Sequence, residues 1–230
     1  MTKLRLAIIG PGKMGSAVAD VARASGIDVV ATLGADMPIS PASLQHADVA
    51  IEFTEPAAAA ANVRACVFAR CPVVVGTTGW YDALPEITGI VASNGGAVVW
   101  AANFSLGVYA LSQLVRRAGE LFARLPGFDA ALIETHHAAK KDSPSGTARV
   151  LQDDFAAGWG RNVPVTSIRI GSIPGTHTLL LAGMFEQVAI THEVRDRRVF
   201  AEGALLAAKW LVGRHGVFTL DDVFSEEAGQ

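Results

Sequence analysis

Leu4-Arg-Leu-Ala-Ile-Ile-Gly10-Pro-Gly-Lys-Met-Gly15, at the start of the chain, decides the fold. Residues 4–9 form a short apolar run of the kind a buried strand presents. A helical pattern follows the last glycine and runs to Ser25, with Gly26 as its stop. Strand, G-x-G-x-x-G and helix in direct succession are the order of a dinucleotide-binding turn. In such a turn Gly10 makes the bend, Gly12 lets the backbone approach a pyrophosphate, and Gly15 lets the helix close on the strand. A plain glycine turn is the competing reading, and the placement at the first strand–helix junction argues against it.

Outward from this turn the pattern repeats. Residues 27–33 read as a second strand, and 34–43, rich in Gly, Pro and Ser, as a loop. Residues 48–53 make a third strand, Thr54-Glu-Pro56 a helix cap, and 57–69 a helix. Residues 73–75 are a fourth strand that ends in Gly76-Thr-Thr-Gly79, and 97–101 a fifth that closes with Asn103-Phe-Ser105. Small and hydroxyl residues at the carboxyl ends of parallel strands line the ligand crevice of such a sheet. Strands alternating with helices predict a parallel, doubly wound sheet.

After Ser105 the pattern changes. A long amphipathic helix spans 106–125 and is stopped by Pro126-Gly127. A strand at 128–135, a charged loop and a helix from about 146 to 157 come next. Two β-rich runs, 166–181 and 187–200, separated by Gly183, read as largely antiparallel strands. Residues 203–212 are helical, and 216–224 read as a short strand or turn with a helical start that returns to the first domain. The expected fold class is therefore α/β: a Rossmann-type doubly wound parallel sheet plus a second α+β domain with a mixed or antiparallel sheet. The expected domains are 1–105, with 203–230 returning to it, and 106–202.

Composition narrows the function. Half of the 230 residues are hydrophobic, enough for a sizeable core, and a net charge of −3 gives no electrostatic case for nucleic acid. No apolar run reaches the roughly 18 residues that suggest a membrane span. The N-terminus lacks the layout of a signal peptide. Cys66 and Cys71 read as reduced, packed thiols, so the expected location is the cytoplasm.

The stretch Glu134-Thr-His-His-Ala-Ala-Lys-Lys-Asp-Ser-Pro-Ser-Gly-Thr147 carries the chemistry. It holds two adjacent histidines and two adjacent lysines between a strand and a helix start. A helix N-terminus offers unpaired N–H groups and partial positive charge to an anion. Lysine and histidine add mobile protons, so the stretch suits an anionic substrate that must be protonated. Strand-end histidines, a solvated lysine turn and a simple cap are the alternative. No metal site is expected: adjacent strand histidines point to opposite faces, and no nearby cysteine or spaced carboxylate completes a set.

These motifs resemble the 4-hydroxy-tetrahydrodipicolinate reductase (dihydrodipicolinate reductase) family. The resemblance runs over nearly the full length. It rests on Glu134-x-His-His-x-x-Lys140-x-Asp142-x-Pro-Ser-Gly-Thr147, Gly76-Thr-Thr-Gly79, Ala101-Ala-Asn-Phe-Ser-Leu-Gly107, Arg169-x-Gly-x-Ile-x-Gly-x-His177 and Gly216-Val-Phe-x-x-x-Asp-Val223. It implies NADH- or NADPH-dependent reduction of a cyclic, dicarboxylated imine-type substrate in lysine and diaminopimelate biosynthesis, by a homotetramer. By the same resemblance His136 and Lys140 are the catalytic acid–base pair. His137, Gly146 and Thr147 bind substrate, and Ser145 joins them through the helix start. Gly10, Pro11, Gly12, Lys13, Met14, Gly15, Gly76, Thr77, Thr78, Ala101, Ala102, Asn103 and Phe104 hold the cofactor.

The chain departs from the family where the adenosine ribose is met. The family often carries an acidic and a basic residue just after the second strand, and here that point reads Gly34-Ala35-Asp36. Preference between the two cofactors is thus open. Another two-domain nicotinamide dehydrogenase, or a nucleotide-binding sensor of the same fold, are the other readings.

Overall fold

The computed structural model describes residues 3–227. In chain order the elements are β1 (Arg5–Ile9), α1 (Lys13–Ala24), β2 (Asp28–Leu33), β3 (Val49–Glu52), α2 (Pro56–Phe68), β4 (Val73–Val75), α3 (Leu84–Asn94) and β5 (Ala97–Trp100). These are followed by α4 (Leu106–Phe122), β6 (Asp129–His136), α5 (Gly146–Trp159), β7 (Val165–Arg169), β8 (Thr176–Ala182) and β9 (Gln187–Glu193). The chain closes with α6 (Arg198–Leu211), β10 (Gly216–Phe218) and α7 (Leu220–Glu227). Two compact units result: one is the chain up to Phe104 together with the chain from Arg198, the other is Ser105–Arg197.

The first unit carries a six-stranded sheet in the order β10-β5-β4-β3-β1-β2, with every pair parallel. Its central strands are continuous apolar runs because helices cover both faces: Val49, Ala50, Ile51, Val73, Val74 and Val75 are all fully buried. The order reverses between β1 and β3. All the strands point the same way, so the segments after β1, β3, β4 and β5 gather at one edge. α3, which the sequence reading does not assign, starts with a proline in its first turn and ends at Gly95 in the left-handed conformation.

The second unit carries a four-stranded sheet in the order β7-β6-β8-β9. β6 alternates cleanly, with Ala130, Leu132, Glu134 and His136 on its buried face. Ala130 and Leu132 pack in one cluster with Leu111 and Val115 of α4, Leu151 and Phe155 of α5, and Leu179 and Leu181 of β8. Emptying the Phe155 site by truncation to alanine should cost roughly 3–5 kcal/mol. Both helices start on a serine cap: Ser105 Oγ accepts from the Val108 N–H and Ser145 Oγ from the Ala148 N–H, each at 3.2 Å. They approach backbone to backbone, since a Cβ on Gly119 would come 2.6 Å from the Phe155 carbonyl oxygen.

Three sequence expectations need correction. The run expected over 166–181 is two strands, because Gly171, Pro174 and Gly175 interrupt it. β7 pairs parallel, not antiparallel, with β6, because α5 carries the chain back across the sheet before β7 begins. The run expected over 187–200 ends at Glu193, and 198–200 open α6. There the helical period wins: Ala201, Ala204, Leu205, Ala208 and Leu211 all lie on one buried stripe.

Candidate active site

In the first unit the glycine turn is built as the residue types demand. Gly10 has φ +98, and its N–H donates to the Leu33 carbonyl at 2.9 Å. A Cβ at Gly10 would overlap the Phe53 carbonyl, and one at Gly15 would overlap the carbonyl of Gly10. At Gly12, by contrast, a Cβ would meet nothing within 4 Å. The turn is therefore closed on its protein side and open where Gly12 caps α1. No side chain caps that helix and no acidic residue sits in its first turn. Its N–H groups and positive end, with Lys13 in the first turn, offer the partial positive charge that suits an anion.

A cavity of about 450 Å³ opens there, lined by Gly12, Lys13, Met14, Phe53, Thr54, Pro56, Gly76, Thr77 and Thr78. Thr77 also ties two loops together, its hydroxyl accepting from the Thr54 N–H at 2.7 Å. Phe53, Thr54 and Pro56 were missing from the sequence-based set. Their signal was available, because β3 ends at the same sheet edge as β1 and β4. Ala101, Ala102 and Asn103 follow β5 at that edge but do not line the cavity. The Phe104 ring is buried and meets Phe53 edge-on at 6.4 Å. This closed-and-open cradle fits the pyrophosphate of a dinucleotide.

In the second unit Glu134 and His136 continue the buried face of β6 beyond its apolar layer. Strand register then collects partners from three other strands. Ser167 on β7 and His177 on β8 lie opposite Glu134, Arg169 on β7 lies opposite His136, and His192 on β9 lies opposite His177. Glu134 Oε2 bonds His136 Nδ1. Glu134 Oε1 accepts from Arg169 Nη2 at 2.6 Å and from the Ser145 N–H at 3.3 Å. Arg169 Nη2 also donates to the Asp142 carbonyl at 2.7 Å, so one guanidinium ties the motif loop to the strand. Ser145 Oγ and His177 Nε2 lie 3.3 Å apart, and the rings of His136 and His177 meet edge-on at 5.2 Å.

The electrostatics follow from this packing. Burial by itself would push the Glu134 carboxyl up, but hydrogen bonds from Arg169, Ser167 and His136 outweigh it and hold the group at about 2. Burial lowers His136, the Glu134 carboxylate raises it, and the charges of Lys140 and Arg169 lower it; the net direction is down. Burial, and then the charge of His136, hold His177 at about 4. At neutral pH the site thus holds an ionised carboxylate and neutral imidazoles.

His137 is half-buried and directly follows the last residue of β6. Lys140 Nζ lies 2.8 Å from Asp142 Oδ1. Burial would raise Asp142, but Lys140 and the Gly146 N–H lower it on balance. The first N–H groups of α5 are therefore partly engaged within the chain: Ser145 donates to Glu134 and Gly146 to Asp142. Ser145 is buried, whereas a Cβ on Gly146 would meet nothing within 4 Å. Gly146 and Thr147 form the outer edge of the helix start.

Glu134, His136 and His177 could each offer one ligand atom, all within 4.8 Å of one another. The carboxylate that the sequence reading did not find is thus present in space. Its lone pairs are taken by Arg169, His136 and Ser145, and Arg169 and Lys140 supply positive charge beside it. That donor set suits a hydrogen-bonded network rather than a cation. Sequence reasoning gave no role to Glu134, Arg169 or His177. The available signal was the i, i+2 spacing of Glu134 and His136 after Ala130 and Leu132 on one strand face.

Comparison with known proteins covers most of the chain. The family model described as dihydrodipicolinate reductase, N-terminus, matches residues 4–104, and that described as dihydrodipicolinate reductase, C-terminus, matches residues 107–224. The 4-hydroxy-tetrahydrodipicolinate reductase of Christiangramia forsetii is 33% identical over 235 residues, covering 97% of this chain and 98% of that protein. The protein of the same name from Xanthomonas campestris pv. campestris is 43% identical over 168 residues, 73% of this chain and 68% of its own length. The fold matches a dipicolinate-bound dihydrodipicolinate reductase from Paenisporosarcina sp. TG-14 with a TM-score of 0.77 at 21% identity, over 95% of this chain and 98% of that one.

Proposed function

Because this chain belongs to the dihydrodipicolinate reductase family, we propose that it catalyses the NAD(P)H-dependent reduction of 4-hydroxy-tetrahydrodipicolinate (dihydrodipicolinate) to tetrahydrodipicolinate in lysine and diaminopimelate biosynthesis. The observation that carries this reading is the buried Glu134–His136 pair on the strand that leads into Lys140 and the start of α5, in a chain that the family models match over residues 4–104 and 107–224.

NADH or NADPH, when bound, supplies the hydride. The fit of this chain to that group is the cradle of Gly10, Gly12 and Gly15, closed toward the sheet and open at the end of α1. Lys13 adds positive charge, and Gly76, Thr77 and Thr78 form the opposite wall. Pro11 and Met14 complete the turn. In this reading Ala101, Ala102, Asn103 and Phe104 shape the neighbouring edge of the sheet.

The substrate is a small cyclic dicarboxylate. Hydride addition to a conjugated imine leaves negative charge on the ring, and a proton must relieve it. Lys140 is assigned as the proton donor, with His136 as its acid–base partner. Gly146, Thr147 and His137 are assigned to a substrate carboxylate, with Ser145 setting the start of α5 beneath them. Lys140 then serves twice, as proton donor and as the cation beside the developing charge.

In the same reading the enzyme is cytoplasmic and a homotetramer assembled through the second unit. What supports assembly is the turn between β8 and β9, where Met184 and Phe185 are 85% and 94% exposed in a unit with a small core. What supports the location is the pair of buried free cysteines, together with the absence, among the described residues, of a helix long and apolar enough to cross a membrane. Light scattering that shows a monomer at micromolar concentration would overturn the tetramer.

The function is tested by adding purified protein to synthase-generated substrate and following the absorbance of NADH and of NADPH. Turnover with at least one of them is expected. Tight cofactor binding without turnover would replace the reductase with a nucleotide-binding sensor.

A further inference from the structure

We infer that Glu134 is the positioning residue of this site: one buried carboxylate that fixes the tautomer of His136 with one oxygen and ties Arg169 and the start of α5 to the strand with the other. The inference rests on the proposed function only for the role of His136 as a proton-transfer group. The geometry stands by itself.

Glu134 is 1% exposed, and burying a carboxylate is costly unless its charge is matched and its lone pairs are filled. Both conditions hold. Oε1 takes Arg169 Nη2 and the Ser145 N–H, while Oε2 takes His136 Nδ1. An ionised carboxylate accepts only, so Nδ1 of His136 carries the hydrogen. In the neutral imidazole Nε2 is then the bare nitrogen, and it is the atom through which His136 takes and gives its proton. Nε2 lies near Gly175, where an added Cβ would come to 3.0 Å, so a side chain at that position would crowd the ring.

Removing the charge of Glu134 should act on His136 directly. The groups that face or influence the imidazole are Glu134 on its own strand, Arg169 on β7, His177 on β8 with His192 behind it, and Lys140 in the motif loop. Glu134 is the one anion among them. The others are cationic or neutral, and they disfavour the imidazolium. The alternative role is purely structural, in which Glu134 is no more than a partner for Arg169.

Glu134→Gln separates the two roles. It keeps the shape and removes the charge, and its one carbonyl oxygen can accept from either Nδ1–H or Arg169 but not from both. The first measurement is the titration of His136 by NMR of imidazole-labelled protein without cofactor or substrate. His136 should titrate at lower pH in Glu134→Gln than in the unmodified protein. The second measurement is turnover. kcat should fall by about 10- to 100-fold with a smaller change in substrate KM, as for other groups that orient a working histidine. The limb of the kcat profile that needs protonated His136 should move to lower pH, and Glu134→Ala should be worse than Glu134→Gln.

A variant whose His136 titration and kcat profile superimpose on those of the unmodified protein overturns the inference, whatever happens to its stability. Should Glu134→Gln not fold, the nitrogen shifts of His136 in the unmodified protein decide instead. Hydrogen on Nδ1 is expected, and hydrogen on Nε2 overturns the assignment. Absence of turnover in the unmodified protein would sink the reductase reading while leaving the His136 titration to decide this one.

Discussion

His177 should make the second unit acid-sensitive in a defined window. The side chain is 3% exposed, and burial followed by the charge of His136 lowers its pKa from 6.5 to about 4. The unfolded chain therefore takes up this proton before the folded chain does. The stability tied to a neutral His177 is complete above about pH 6.5 and is lost as pH falls toward about 4. That window, at about 1.4 kcal/mol per pH unit, corresponds to about 3 kcal/mol. His136 and His192 are lowered too, so the whole protein should lose more than this. The comparison that isolates His177 is urea unfolding of the unmodified protein and of His177→Gln across the window, followed by the transition that includes Trp159 of α5. Glutamine can still bond the Ser145 hydroxyl but does not titrate. The stability difference between the two should change by up to about 3 kcal/mol between neutral pH and pH 4. A difference that stays constant within about 0.5 kcal/mol would show that His177 is not held neutral by its surroundings.

Lys140→Ala should lower kcat by about 100- to 10,000-fold with cofactor Kd near normal, and retention of more than about a third of kcat would remove Lys140 as the acid. Asp142→Asn should lower substrate KM, because Asp142 occupies Lys140 at 2.8 Å and the Gly146 N–H, both assigned to the substrate. The pair is part-exposed and so contributes at most about 1 kcal/mol, hence up to about fivefold in KM, and a raised KM would contradict that competition. Both cofactors should be used within roughly tenfold in kcat/KM, with a preference for NADPH that shrinks in salt and in Lys13→Ala, since one exposed lysine contributes about 1 kcal/mol. A preference for NADH above about a hundredfold that collapses in Asp36→Ala would place the ribose contact at Asp36 instead.

Neighbours along the chain settle the local parts of this fold. A strand running into Gly10-Pro-Gly12 and Gly15 can hardly build anything but a tight turn open to an anion, because Cβ atoms at Gly10 and Gly15 would overlap backbone carbonyls. The apolar runs at β3, β4 and β5 announce a parallel sheet covered on both faces, and Ser145 before α5 announces a helix start. All of these are matters of local period, turn chemistry and capping. Where two local signals competed the reading slipped, as at 198–200, where the stripe of Ala201, Ala204, Leu205 and Ala208 made a helix of an expected strand end. Contacts between distant segments settle the rest. Arg169 meets Glu134 across 35 residues of sequence, and His177 meets Ser145 across 32. Both meetings depend on strand register, the first with β7 parallel to β6 and the second with β8 antiparallel to it, which no local pattern encodes. The same register made Glu134 a shared partner of His136, Arg169 and Ser145, and it turned two donors at the start of α5 inward to the chain's own carboxylates. A motif names the groups that can do chemistry. Which of them touch, which are buried, and hence which are charged, is fixed only when distant strands are laid side by side.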